Sequence, residues 1–131
     1  MPSPPAQAII RTAQDAAAWC EPHFDGCTCE KLVVLHVDSE RRLLWVAVEE
    51  GGRAADIDIP VRALVADAIR HCSAGLILAH CHPSGDPTPS QPDIVATRRL
   101  AELAAGLGIA VHDHLVFAGG ACRSFRALGL L

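Results

Sequence analysis

Apolar and polar positions change period several times along this chain, and each change predicts an element. Between residues 6 and 19, Ile9, Ile10, Ala13, Ala17 and Ala18 recur at nearly helical spacing, which predicts an amphipathic helix. Residues 21–29 carry Pro22 and Gly26 with little periodicity and read as a loop. LVVLHV (32–37) is a compact β-branched run, DSERR (38–42) is a turn, and LLWVAV (43–48) returns, which predicts a hairpin. Residues 49–53 read as a turn, and Asp56, Ile57, Asp58 and Ile59 alternate like a short edge strand. Pro60 suits a helix start, and Val61, Leu64, Val65, Ala68 and Ile69 share one helical face up to about Cys72.

The second half is simpler. Gly75-Leu-Ile-Leu-Ala79 shows no polar alternation, as expected of a strand covered on both faces, and it delivers His80 at its C-terminal end. Residues 90–106 read as a helix with Gly106 and Gly108 at its stop. Residues 109–118 follow as a strand, and Gly119-Gly120 turns into a short last segment. One helix, three strands, a helix, a strand, a helix and two strands predict a mixed sheet between helices, an α/β layered fold.

Composition narrows the function classes. A chain of 131 residues suits one domain, and 50% hydrophobic with 20% charged residues excludes a disordered one. The net charge is -4, no basic run exists, and tyrosine is absent. A basic face and a stacking platform for nucleic acid are therefore both missing, and DNA binding by this chain alone is expected to be weak at most. No apolar run approaches the roughly 20 residues of a membrane span. MPSPPAQAII lacks the pattern of a secretory signal, so a cytoplasmic location is expected and the six cysteines read as reduced thiols.

The chemistry concentrates in HCHPSGDPTPSQPD, residues 80–93. His80 and His82 on extended backbone point to the same side, because strand side chains alternate. Asp93 adds a third N/O ligand, and three protein ligands with an open fourth position is the arrangement of catalytic zinc. Pro83, Pro87, Pro89 and Pro92 limit the loop's freedom and lower the entropic cost of bringing Asp93 back. Ser90 and Asp93 also match a helix N-terminus, with Ser90 as N-cap and Asp93 at N3. Local physics favours capping for Ser90, and the two roles are compatible because an N-cap faces the loop before its helix.

His80-x-His82-Pro83, followed by Ser90-x-x-Asp93, is similar to the JAMM signature of JAB/MPN+ metallohydrolases. The longer text HCHPSGDPTPSQPDI resembles the RadC branch, whose usual form is HNHPSGDPxPSxxD. The similarity extends to Glu30, Leu35, Asp38, Pro60-x-Arg62, Thr97, Asp113-His114-Leu115-Val116 and Ser124-Phe125, covering residues 28–131 behind an N-terminal tail and helix at 1–27. The resemblance implies a cytidine-deaminase-like three-layer α/β/α fold. It also implies one Zn²⁺ per chain on His80, His82 and Asp93, with Glu30 as general acid/base and Ser90 as donor to the oxyanion. The implied reaction is cleavage of a peptide or isopeptide bond in an unidentified protein or peptide substrate. The alternative is a non-catalytic interaction module of DNA repair or mobile-element biology. Glu49 and Glu50 are rivals for Glu30, beside a Gly-Gly turn that favours solvation.

Two departures from the RadC pattern stand out. Cys81 replaces the usual Asn and is expected to point away from the metal and pack as a small apolar group. Residues 1–27 are too short for the helix-hairpin-helix region of full-length RadC proteins, which weakens any DNA role. A zinc deaminase is excluded, since position 82 is His rather than Glu and no Cys-x-x-Cys exists. Cys20, His23, Cys27 and Cys29 could supply a second zinc, although ordinary thiols are favoured. In His112-Asp113-His114, alternation puts the two histidines on one face, which suggests a supporting role for Asp113 and His114 and a solvated His112. His23, His36 and His71 have no evident partners in sequence.

Overall fold

Six consecutive buried residues cannot alternate between core and water, so such a run must lie inside a sheet covered on both faces. Three strands are built this way in the computed structural model, which describes residues 8–26, 31–50 and 59–131. They are β1 (Lys31–Val37), β3 (Gly75–Cys81) and β4 (Ala110–Ala118), whose buried run is Asp113–Ala118. With β2 (Leu43–Glu50) and β5 (Ala121–Ser124) they form one sheet in the order β2-β1-β3-β4-β5. Only β3 and β4 run parallel, and their crossover is helix α3 (Gln91–Ala105).

Helix α1 (Ala13–Cys20) covers one face, where Ala16, Cys20 and Phe24 pack on Val33, Leu35, Ala79 and Leu115. Helices α2 (Val61–Arg70) and α3 cover the other, with Leu64, Ala68, Leu100 and Ala104 against Leu32, Val34, Leu76 and Leu78. The result is the expected three-layer α/β/α arrangement around a mixed sheet. Most of the expected edge strand at 56–59 lies outside the described residues, as do Cys27, Cys29 and Glu30.

Three expectations need correction. Helix α1 starts at Ala13 because Thr12 caps it: the Thr12 hydroxyl accepts from Asp15 N at 3.0 Å, and the Asp15 carboxylate accepts from Thr12 N at 3.2 Å. Residues 8–10 instead extend the sheet, with Ile10 N donating to Arg41 O and Leu43 N to Ala8 O. The expected loop after α1 contains a 3₁₀ turn, Glu21–Phe24, which buries Phe24 against Phe117 at 5.0 Å between ring centroids.

The third correction concerns β4. Leu76 pairs with Val111 but Ile77 pairs with Asp113, so His112 is an extra residue in a bulge. A one-residue insertion reverses the alternation, so Val111 and His114 both face α3 and Asp113 faces away. His112 is half-buried over Gly75, where a Cβ would collide with its ring. It therefore neither shares a face with His114 nor stands free in solvent.

Candidate metal centre

The paired strands bring the site together before any side chain is considered. β1 and β3 are antiparallel with Leu32 opposite His80, so the start of β1 lies beside the end of β3. Beyond Cys81 the chain stays pinned, with His82 N donating to Phe117 O at 2.8 Å and Gly85 N to His82 O at 3.1 Å. The loop then returns to the N-terminus of α3. There the Ser90 hydroxyl accepts from Asp93 N at 3.1 Å, and Asp93 Oδ2 accepts from Ser90 N at 3.0 Å. The capping box expected of Ser90 and Asp93 is formed.

Three ligand atoms converge here. His80 Nε2 and His82 Nε2 are 3.0 Å apart, and Asp93 Oδ2 is 3.4 Å from the first and 3.1 Å from the second. His80 and Asp93 are buried, while His82 keeps one edge towards solvent. Among the described residues this is the one group of three or more ligand-type side chains close enough to hold a metal ion.

The donor set fits a cation. Zinc bonds of about 2.0–2.1 Å in a tetrahedral site put ligand atoms about 3.3 Å apart, close to the separations found. The His82 Nδ1–H donates to Asp86 O at 2.9 Å, which leaves a neutral ring's lone pair on Nε2, facing the cluster. Asp93 Oδ1 is buried and has no hydrogen-bond partner, an expense a bound cation would relieve. Burial alone would raise the Asp93 carboxyl. His80 beside it and the Ser90 contacts outweigh burial and hold it well below the usual carboxylate range, so it is an anion.

Residues 10–130 match the profile of the RadC-like JAB domain. The chain belongs to that family. The RadC-like domain is 46% identical over 125 residues to a "UPF0758 protein" of Rhodobacter capsulatus, covering 94% of this chain and 58% of the relative. It is 42% identical over 112 residues to one of Pelobacter propionicus, covering 83% and 48% respectively. A third, from Moorella thermoacetica, is 36% identical over 127 residues, covering 96% and 55%. The chain thus spans about half the length of the curated relatives it matches.

Around the ligands, the RadC-like domain adds a line of buried polar groups. His80 Nδ1 lies 2.6 Å from His114 Nε2, and His114 Nδ1 lies 2.7 Å from Thr97 Oγ1, all fully buried. Burial, with His80 adding, holds the His114 imidazole well below its ordinary pKa and therefore neutral. Asp113 faces the other way, accepting from His114 N, Arg126 N and the Ser124 hydroxyl. The supporting role expected of Asp113 and His114 has a physical form here. The sequence signal behind that expectation is the Asp113-His114 pair of the RadC pattern, set in an otherwise apolar strand.

A cleft of about 380 Å³ opens beside His82, with Phe24 and Phe117 lining it and Glu21 and Asp25 contributing acidic groups. Cys81 is buried on the face opposite His80, as expected from alternation. It is disulfide-bonded rather than a reduced thiol. Cys20, Cys72 and Cys122 are free. Burial pushes the Cys20 thiol up to about 12, a poor state for a zinc ligand. Glu49 sits in β2, which β1 separates from β3.

Proposed function

We propose that this RadC-like domain is a zinc-dependent hydrolase of the JAMM type, acting on a peptide or isopeptide bond. The observation that carries the reading is the convergence of His80 Nε2, His82 Nε2 and Asp93 Oδ2 within 3.0–3.4 Å, beside a buried carboxylate oxygen without a partner. Structural zinc sites are closed by four protein ligands, whereas three leave a place for water or substrate. When bound, the ion would supply Lewis acidity that brings the pKa of water to about 7.

The chain's own residues would do the rest. His80, His82 and Asp93 would hold the ion. Glu30, next to the start of β1, would take a proton from the attacking water and pass it to the leaving amine. The pairing of Leu32 with His80 supports that role, because it brings the first residues of β1 to the ligand end of β3. The Ser90 hydroxyl, at the mouth of α3, would donate to the oxyanion of the tetrahedral intermediate. The cleft beside His82 supports an extended substrate, with Phe24 and Phe117 in its lining and backbone at Gly119-Gly120 free of side chains.

Elemental analysis and a panel of peptide and isopeptide substrates test the reading. Wild type should carry close to one zinc per chain, and His82→Ala should lose most of it. Glu30→Gln should keep zinc and fold while hydrolysis falls about 10²- to 10⁴-fold, the usual worth of positioned acid–base catalysis. Full zinc in His82→Ala, with loss in Cys20→Ser or Cys27→Ser, would place the metal elsewhere. Full activity in Glu30→Gln would remove Glu30 from the reaction.

A further inference from the structure

A metal-binding imidazole must present a lone pair on one nitrogen, and whatever holds the other nitrogen decides whether it does. In His80 the nitrogen facing His82 and Asp93 is Nε2. Its Nδ1 meets His114 Nε2 at 2.6 Å, and the line continues from His114 Nδ1 to Thr97 Oγ1 at 2.7 Å. A neutral imidazole carries one N–H and one lone pair, so the hydrogens along this line are not independent. With the lone pair of His80 on Nε2, the hydrogen sits on Nδ1, and His114 Nε2 must accept it. His114 then carries its own hydrogen on Nδ1 and donates it to the Thr97 hydroxyl. Without an ion the reversed line, from the Thr97 hydroxyl through His114 to His80 and on to Asp93, satisfies the nitrogens equally well; a cation on His80 Nε2 selects the first polarity.

We propose that His114 is a positioning residue that locks His80 in its Nδ1–H tautomer, with Thr97 fixing the tautomer of His114 in turn. The inference rests on the metal reading above and assigns how the domain prepares one ligand for the ion. Thr97 and Asp93 are four residues apart on α3, so one helix face presents both the anionic ligand and the hydroxyl that ends the line. Phe125 fixes the plane of the His114 ring by stacking on it, with centroids 4.6 Å apart and planes at 16°. Asp113 holds Phe125 there, because it takes the Ser124 hydroxyl at 2.6 Å and Arg126 N at 3.0 Å on either side. A residue needed only for packing would be apolar, since burying two ring nitrogens costs free energy unless both are paired.

Zinc affinity by competition with a chromophoric chelator, on the full chain, tests this. His114→Phe and Thr97→Val should bind zinc about 10- to 100-fold more weakly than wild type, the usual cost of removing such a supporting partner. Thr97→Ser, which keeps the hydroxyl, should stay close to wild type. Long-range ¹H–¹⁵N spectra of the zinc-loaded wild type should show hydrogens on Nδ1 of both His80 and His114. Unchanged affinity in His114→Phe and Thr97→Val, or a hydrogen on His114 Nε2, overturns the relay while leaving the metal site standing. An equal loss in Thr97→Ser marks loosened packing and also overturns it. If wild type binds no zinc, or His82→Ala binds it fully, the metal reading fails and the relay with it. Should His114→Phe fail to fold, the Thr97 pair and the wild-type spectra still decide.

Discussion

His36 shows what a residue without an evident partner in sequence can turn out to be. It is fully buried in β1, with Nδ1 2.9 Å from the Ser73 hydroxyl and Nε2 without a hydrogen-bond partner. The His71 ring meets it edge-on at 5.6 Å and itself stacks on Trp45 at 4.9 Å. Burial, with His71 adding and Asp67 opposing, lowers its pKa from 6.5 to about 4. The folded state therefore resists a proton that the unfolded chain accepts, and stability should fall as pH drops from about 6.5 towards 4. The full effect is about 3 kcal/mol at most, since each pKa unit is worth roughly 1.4 kcal/mol. Urea midpoints measured from pH 7 to 4 should fall less steeply in His36→Gln than in wild type. Parallel curves for the two proteins would show that His36 does not titrate as its burial requires.

At the scale of elements, the two helix starts separate stability from chemistry. Thr12 and Ser90 both head capping boxes, but only Ser90 stands at the ligand cluster. Each Ala substitution should cost about 1 kcal/mol in unfolding experiments. Thr12→Ala should keep wild-type turnover, whereas Ser90→Ala should lose rate beyond what its stability explains. Equal, small effects of both on turnover would leave Ser90 as a cap alone. The α3 start was legible in sequence because cap, proline and carboxylate fall within four residues. The α1 start was not, because Ile9 and Ile10 continue the apolar pattern although their backbone pairs with Arg41 and Arg42, just before β2. β3 and its histidines were legible from an unbroken apolar run. The tie from His80 to His114 was only half so, because the bulge at His112 breaks the alternation that the reading relied on. Periodicity counts residues and cannot register an inserted one.

For the whole molecule, the deciding quantity is charge. The chain carries -4 at neutral pH, and several of its arginines are already engaged within the fold. Arg42 pairs with Asp38 and Glu40, Arg70 with Asp67, while Arg98 and Arg126 donate to the carbonyls of Leu130 and His112. Phosphate binding needs several free cations on one surface, and each contact steepens the loss of affinity with salt. The acidic groups at the cleft add repulsion where the proposed active site opens. Duplex DNA should therefore bind this chain no more tightly than about 10⁻⁶ M at physiological salt, the non-specific range, and the affinity should fall steeply as salt rises. Fluorescence anisotropy with unrelated duplexes across a salt series measures both. Tight, sequence-selective binding that resists salt would mean that base contacts rather than charge hold the DNA. That outcome would put an interaction module ahead of the hydrolase, because an acidic hydrolase cleft has no use for a duplex.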